Sequence, residues 1–197
     1  MIINKTIEKS MLFHPYVYWN DFLSNEEINL IIQYCENKKL NDGSLTAGQK
    51  IDKSVRVSKV NFTEPDEENR WIFEKLNTLI DVVNQKFYGF DLVGYNMFQY
   101  STYNSNENGH YDWHVDSHFG EIDPEGFGLH RKLSMTLLLN DDFEGGEFEY
   151  NLSKPKNIEI KKGTAIFFPS FVLHRVSPVT KGIRKSLVVW VEGPRWK

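Results

Sequence analysis

The chain has 197 residues, 40% of them hydrophobic and 14% aromatic, with a formal net charge of −4. That length suits one domain, able to bury roughly 70% of the surface its unfolded chain exposes. The acidic balance disfavours a broad phosphate-binding face, and a single cysteine, Cys35, excludes an intramolecular disulfide.

Met1-Ile2-Ile3-Asn4-Lys5 opens the chain without a long apolar core or a small-residue cleavage site. No apolar run approaches the roughly 20 residues that a bilayer crossing needs. The expectation is a soluble, cytoplasmic protein with neither a membrane nor a nucleic-acid partner. Ser24 with Glu27 three residues on forms a capping box, and Ile28, Ile31, Ile32 and Cys35 follow at helical spacing. Cys35 in that stripe reads as a buried, inert thiol. A second helix is expected from about Pro65 to Tyr88, with Trp71, Ile72, Leu76, Leu79, Ile80, Val83 and Phe87 on one stripe. Asp66, Glu67 and Glu68 fall in its first turn, at the positive end of the helix dipole. Between the helices, 41–54 is polar and glycine-containing, hence a loop.

From Tyr95 onward the pattern changes to short strands, at 94–103, 110–116, 132–139, 146–150, 157–160, 164–168, 173–177 and 184–191. Asp141 to Gly146, Lys161-Lys162-Gly163 and Lys181-Gly182 supply turns between them. Many short strands after a helical start predict an α+β chain, with helices supporting a double-sheet β-fold such as a jelly roll. No internal repeat, low-complexity tract or linker interrupts residues 1–197, so one domain is expected. The segments 43–54 and 117–130 read as loops at the mouth of a site.

Tyr111-Asp112-Trp113-His114-Val115-Asp116 sets His114 and Asp116 two apart in an expected strand, where alternation turns both to one face. His174, after the strand-like Thr164 to Pro169, is the candidate third ligand. Two histidines and a carboxylate on one face of Fe(II) leave three octahedral positions open, two for a bidentate keto acid and one for O2. The same set can hold zinc, and His-x-Asp alone is a weak signal. Arg184, ten residues after His174 and beyond the turn at Gly182, adds a guanidinium suited to the far carboxylate of a dicarboxylate. His14, His110 and His130 read as surface or hydrogen-bonded residues, and His118 as a residue near the end of the pleat.

Three stretches, Tyr111 to Asp116, Arg131-Lys132-Leu133-Ser134-Met135-Thr136-Leu137-Leu138-Leu139-Asn140 and Phe143-Glu144-Gly145-Gly146-Glu147-Phe148, resemble the prolyl 4-hydroxylase-like branch of the 2-oxoglutarate/Fe(II) oxygenases. So does the closing stretch from His174 to Leu187, and the resemblance covers about residues 95 to 192. Asp21-Phe22-Leu23-Ser24 and Val55-Arg56-Val57-Ser58 echo it more weakly. The resemblance implies a distorted double-stranded β-helix with iron on His114, Asp116 and His174, and Arg184 anchoring the C5 carboxylate of 2-oxoglutarate. Arginine at that position resembles bacterial and viral members. The family's Tyr-x-x-Gly-x-x-Tyr is two residues longer here, from Tyr103 to Tyr111; Tyr103 is the preferred co-substrate tyrosine and Tyr100 the fallback. Tyr111 would sit near the metal, Trp190 would wall the pocket, and Arg56 and Trp113 are candidates to line a peptide groove. The implied reaction hydroxylates an unactivated C–H bond, consumes O2 and 2-oxoglutarate, and releases succinate and CO2, with ascorbate as a reductant. Asp116 points to hydroxylation, because related halogenases lack that carboxylate. Peptidyl proline in a peptide or protein is the leading substrate. A hydroxylase of free amino acids or other small molecules, a nucleic-acid demethylase of the same superfamily and a non-catalytic β-barrel binding module are the alternatives. Val191 stands where the demethylase reading would seek its anchoring arginine.

Overall fold

The computed structural model describes residues 14–45, 51–117, 128–152 and 155–196. Residues 46–50 and 118–127, with His118, belong to the two segments expected at the site mouth and lie outside the described residues. In chain order the elements are β1 (Val17–Trp19), α1 (Asn25–Glu36), β2 (Asn41–Asp42), β3 (Arg56–Val57), β4 (Lys59–Thr63), α2 (Arg70–Val83), β5 (Phe98–Asn104), β6 (His110–His114), β7 (His130–Leu138), β8 (Glu144–Gly145), β9 (Phe148–Asn151), β10 (Pro155–Ile158), β11 (Ala165–Pro169), β12 (Leu173–Val176), β13 (Val179–Lys181) and β14 (Ile183–Gly193). Among the described residues the balance is mostly β with two α-helices, more strand-rich than an even α+β division. No described helix is long and apolar enough to cross a membrane.

The capping box forms as expected. Ser24 Oγ accepts from the Glu27 amide at 3.2 Å while Glu27 Oε2 accepts from the Ser24 amide at 2.9 Å, so α1 begins at Asn25. The start of the second helix differs from expectation. Asp66 and Asn69 exchange amide-to-side-chain bonds of 2.8 Å in both directions, and that turn delays α2 to Arg70. Its first turn therefore carries no acidic residue. At the other end a π-turn, 84–88, carries the chain to Gly89, whose φ of 61° suits glycine.

The eight expected strands are β5, β6, β7, β9, β10, β11, β12 and β14, with ends shifted by a few residues. The very short β1, β2, β3, β8 and β13 give little period-2 signal of their own, whereas Lys59 to Thr63 of β4 alternates polar with apolar and is not among the expected strands. A seven-stranded sheet runs β1-β11-β7-β14-β5-β4-β2 and a five-stranded sheet runs β10-β9-β12-β6-β3, while β13 and β8 form a separate ribbon. Phe148, Tyr150 and Ile158 of the smaller sheet share a buried cluster with Ile166 and Phe168 of the larger, so the two sheets face each other.

Alternation divides the larger sheet into two unlike faces. Phe98, Tyr100, Leu133, Met135, Leu137, Leu187, Val189 and Val191 share one buried cluster with Ile28, Ile31 and Cys35 of α1 and with Ile72, Leu76, Leu79, Ile80 and Val83 of α2. The intervening residues Gln99, Ser101, Tyr103, Ser134, Thr136, Arg184 and Ser186 are also buried, on the face turned to the smaller sheet. A buried polar face of that kind marks where chemistry belongs.

Candidate active site

His174 on β12 and His114 on β6 are directly opposed across an antiparallel pair. Further along, Val176 faces Tyr111, so two steps on β12 match three on β6. The extra residue is a β-bulge, and it brings Tyr111 and His114 to one face where strict alternation would separate them. Their rings stack with centroids 3.5 Å apart and planes 12° apart.

Strand alternation does not place Asp116, contrary to the expectation that one strand would carry both residues. β6 ends at His114, and the chain beyond it is tied across the sandwich. The Asp116 and Ser117 amides donate to the Ser170 carbonyl at 2.8 and 2.9 Å. Ser134 Oγ donates to Asp116 Oδ2 at 2.6 Å and lies 2.9 Å from Ser170 Oγ. The carboxylate thus ends 3.7 Å from His114 Nε2 and 3.6 Å from His174 Nε2.

Both imidazoles are set for metal binding. His114 Nδ1 lies 2.7 Å from the Asp112 carbonyl and His174 Nδ1 2.8 Å from the Val172 carbonyl. A carbonyl only accepts, so each Nδ1 carries the proton and each Nε2 presents its lone pair. Burial, reinforced by His174, pushes the His114 pKa down to about 3 and keeps that ring neutral. Burial alone would raise Asp116, but both imidazoles, the Ser134 hydroxyl and Arg131 outweigh it and hold the carboxyl below its usual range. Two imidazoles and one carboxylate, their ligand atoms within 4.8 Å of one another, fit a single divalent ion with open positions.

Arg184 is 1% exposed, the largest of the fully buried side chains. Its Nη1 donates to Ser186 Oγ at 3.0 Å, while Nε and Nη2 have no partner among the described residues. Its guanidinium lies 5.6 Å from the centre of the Tyr103 ring, and the two residues are strand partners. Gly146 makes room for it, since a Cβ there would stand 3.0 Å from Arg184 Cδ and 2.9 Å from Val179 Cγ2. Burying an unpaired guanidinium is costly, and two orphaned N–H groups match a carboxylate in a paired hydrogen bond. The donor set therefore fits the distal end of 2-oxoglutarate.

The other candidates divide. Tyr103 packs in one cluster with Tyr111, and Trp190 is the strand partner of Ser134, with the Arg131 guanidinium 4.2 Å from its ring and its own Nε1 unpartnered. Arg56, 5% exposed, lies 4.5 Å from the Tyr111 ring. Tyr100 is not brought to Arg184. Three residues from Tyr103, it takes the opposite face, lies in the helix-covered cluster and donates to Glu36 Oε1 at 3.2 Å. Trp113 is not brought to the triad either. It stacks under Arg175, which alternates with His174 along β12 and pairs with Glu149 on the reverse face. Sequence reasoning missed Ser134, Ser170 and Arg131. The small polar residues alternating with leucine and methionine in Leu133-Ser134-Met135-Thr136-Leu137 were the available signal.

Residues 98–192 match the model of the 2OG-Fe(II) oxygenase superfamily. A PKHD-type hydroxylase of Colwellia psychrerythraea is 32% identical over 175 residues, which span 86% of this chain and 74% of that protein. The chain belongs to the 2OG-Fe(II) oxygenase superfamily. A second PKHD-type hydroxylase, from Synechococcus sp. CC9902, is 40% identical over 85 residues, 42% of this chain but only 36% of that protein. The crystal structure of a Pseudomonas putida prolyl-4-hydroxylase superposes with a TM-score of 0.73 at 20% identity, covering 92% of this chain and 94% of that one. At that identity the similarity establishes the jelly-roll fold alone. As an oxygenase of this superfamily the chain takes Fe(II) as its metal and 2-oxoglutarate as its co-substrate, with the His114, Asp116 and His174 grouping suited to the iron.

Proposed function

We propose that this protein is a 2-oxoglutarate-dependent hydroxylase of peptidyl proline, releasing succinate and CO2, with ascorbate as a reductant. The observation that carries the 2-oxoglutarate reading is the buried Arg184, with two donors unpartnered, on the same sheet face as the serine that holds Asp116. The proline assignment rests on the resemblance to prolyl hydroxylases.

In this reading His114, Asp116 and His174 hold the iron, which supplies O2 activation when bound. Arg184 grips the distal carboxylate, Tyr103 packs beside it, and two-point attachment orients the co-substrate. Tyr111 and Trp190 wall the substrate space, and the buried polar face excludes bulk water. Residues 1–197 act as a single domain, with helical support in about 20–90 and the catalytic β core in about 94–192.

Mass spectrometry of proline-containing peptides incubated with Fe(II), 2-oxoglutarate and air tests the proposal. A gain of one oxygen on proline, absent without 2-oxoglutarate, is expected. Succinate release accompanied by oxygen gain only on another residue or on a small molecule would rule out the proline assignment while keeping the hydroxylase.

A further inference from the structure

The two histidines of the triad are held by different surroundings. His174 is 5% exposed and sits against the rings of Phe168 at 4.6 Å and Phe148 at 5.5 Å, both in the apolar cluster between the sheets. The His114 side chain is more open, 15% exposed against 6% for His174. One face of its ring is covered by Tyr111, nearly parallel at 3.5 Å, and Tyr111 is in turn covered by the Arg56 guanidinium at 4.5 Å. Arg56 is itself anchored. Its Nε donates to Ser58 Oγ at 2.8 Å and its Nη1 to the Ser44 carbonyl at 3.0 Å. Arg56 and Tyr111 are strand partners between β3 and β6.

We infer that Arg56 is a positioning residue that fixes the His114 imidazole through Tyr111, as the outer layer of a guanidinium–phenol–imidazole stack. This rests on the iron reading above. The hydrogen bond from His114 Nδ1 to the Asp112 carbonyl fixes the tautomer but leaves the ring free to pivot about that bond. A flat ring pressed on its face removes the pivot, so Nε2 stays aimed at the ion. The phenol can press only while something holds it, and a guanidinium on its far face does so by cation–π attraction. The β6 bulge puts Tyr111 within reach, and β3, at the edge of the smaller sheet, delivers Arg56 to the far side.

Cobalt(II) titration of the metal-free protein, read from the visible ligand-field bands, tests the inference without turnover. Wild type should bind one Co(II), and His174→Ala should not; a wild type that binds none sinks the iron reading itself. Arg56→Met should weaken binding about 10-fold and shift the bands, in the range that supporting partners of metal ligands command, while Arg56→Lys, which keeps the cation but loses the flat face and the bonds to Ser58 and Ser44, should recover only part of both. Tyr111→Leu should reproduce the Arg56→Met spectrum and Tyr111→Phe should leave it near wild type. The double variant Arg56→Met/Tyr111→Leu should lose no more than the worse single change. Wild-type affinity and bands in either Arg56→Met or Tyr111→Leu, or additive losses in the double variant, would overturn the stack. If Arg56→Met does not fold, the Tyr111 pair decides alone.

Discussion

The larger sheet carries two faces made from the same strands, and they differ in what they can lose. On the helix-covered face, Leu133, Met135, Leu137, Leu187, Val189 and Val191 are 0–2% exposed and apolar. On the face toward the smaller sheet, Ser134, Ser186 and Arg184 are equally buried yet polar, and Arg184 keeps two donors unpaired. Apolar burial stabilises the first face, whereas unsatisfied polar groups make the second a liability until a ligand arrives. Stability and chemistry are thus separated by one residue step along each strand.

The hardest break is Asp116→Ala. Loss of supporting partners alone costs about 10–100-fold, so removing a ligand should lower turnover by roughly 1,000-fold or more, measured as succinate release, with little change in melting temperature. On the opposite face, Leu137→Ala should cost about 3 kcal/mol of stability, seen as a lower denaturation midpoint, with the KM for 2-oxoglutarate unchanged while the protein stays folded. Equal loss of stability and co-substrate affinity in that variant would show that the two faces are not separable. Arg184→Met removes the charge-assisted contacts and should raise the KM for 2-oxoglutarate by about 30-fold, or roughly 2 kcal/mol, while Co(II) affinity holds.

Smaller effects sharpen the contrast. Ser134→Ala removes the hydroxyl held between Asp116 and Ser170, and should weaken metal binding by about 10-fold. Its stability cost should be no more than about 1 kcal/mol. Cys35 tests the dry face through pH. Burial pushes its thiol up to about 12 from an ordinary 9.0. The unfolded chain therefore ionises first, and the contribution of Cys35 to stability is complete below pH 9 and lost as pH rises toward 12. In the folded protein at pH 9 the thiol should resist iodoacetamide, and Cys35→Ser should flatten the stability profile above pH 9.

Much of this was legible in the residues. Ser24 and Glu27 announced α1 because a capping box is a local arrangement within four residues. Eight of the strands showed their period, and His114, Asp116, His174 and Arg184 stood out because their side-chain types suit one chemistry. What misled was where local pattern met long-range pairing. Asp66 to Glu68 read as a first helical turn, but Asp66 and Asn69 close on each other instead. Tyr103 was preferred to Tyr100 as the co-substrate tyrosine, and the pleat sends them to opposite faces, Tyr100 toward Glu36 and Tyr103 toward Arg184.

By itself, then, the order of residues determined the strand and helix periods, the cap and the set of groups able to bind iron and a dicarboxylate. These follow from side-chain chemistry and spacings of two to four residues. Only the tertiary structure decided the bulge that stacks Tyr111 on His114, the tie from Asp116 to Ser170, the seat of Ser134 and the reach of Arg56. Each of these depends on the register between strands distant in the chain, and register is set by the summed packing of both faces rather than by any local run of residues.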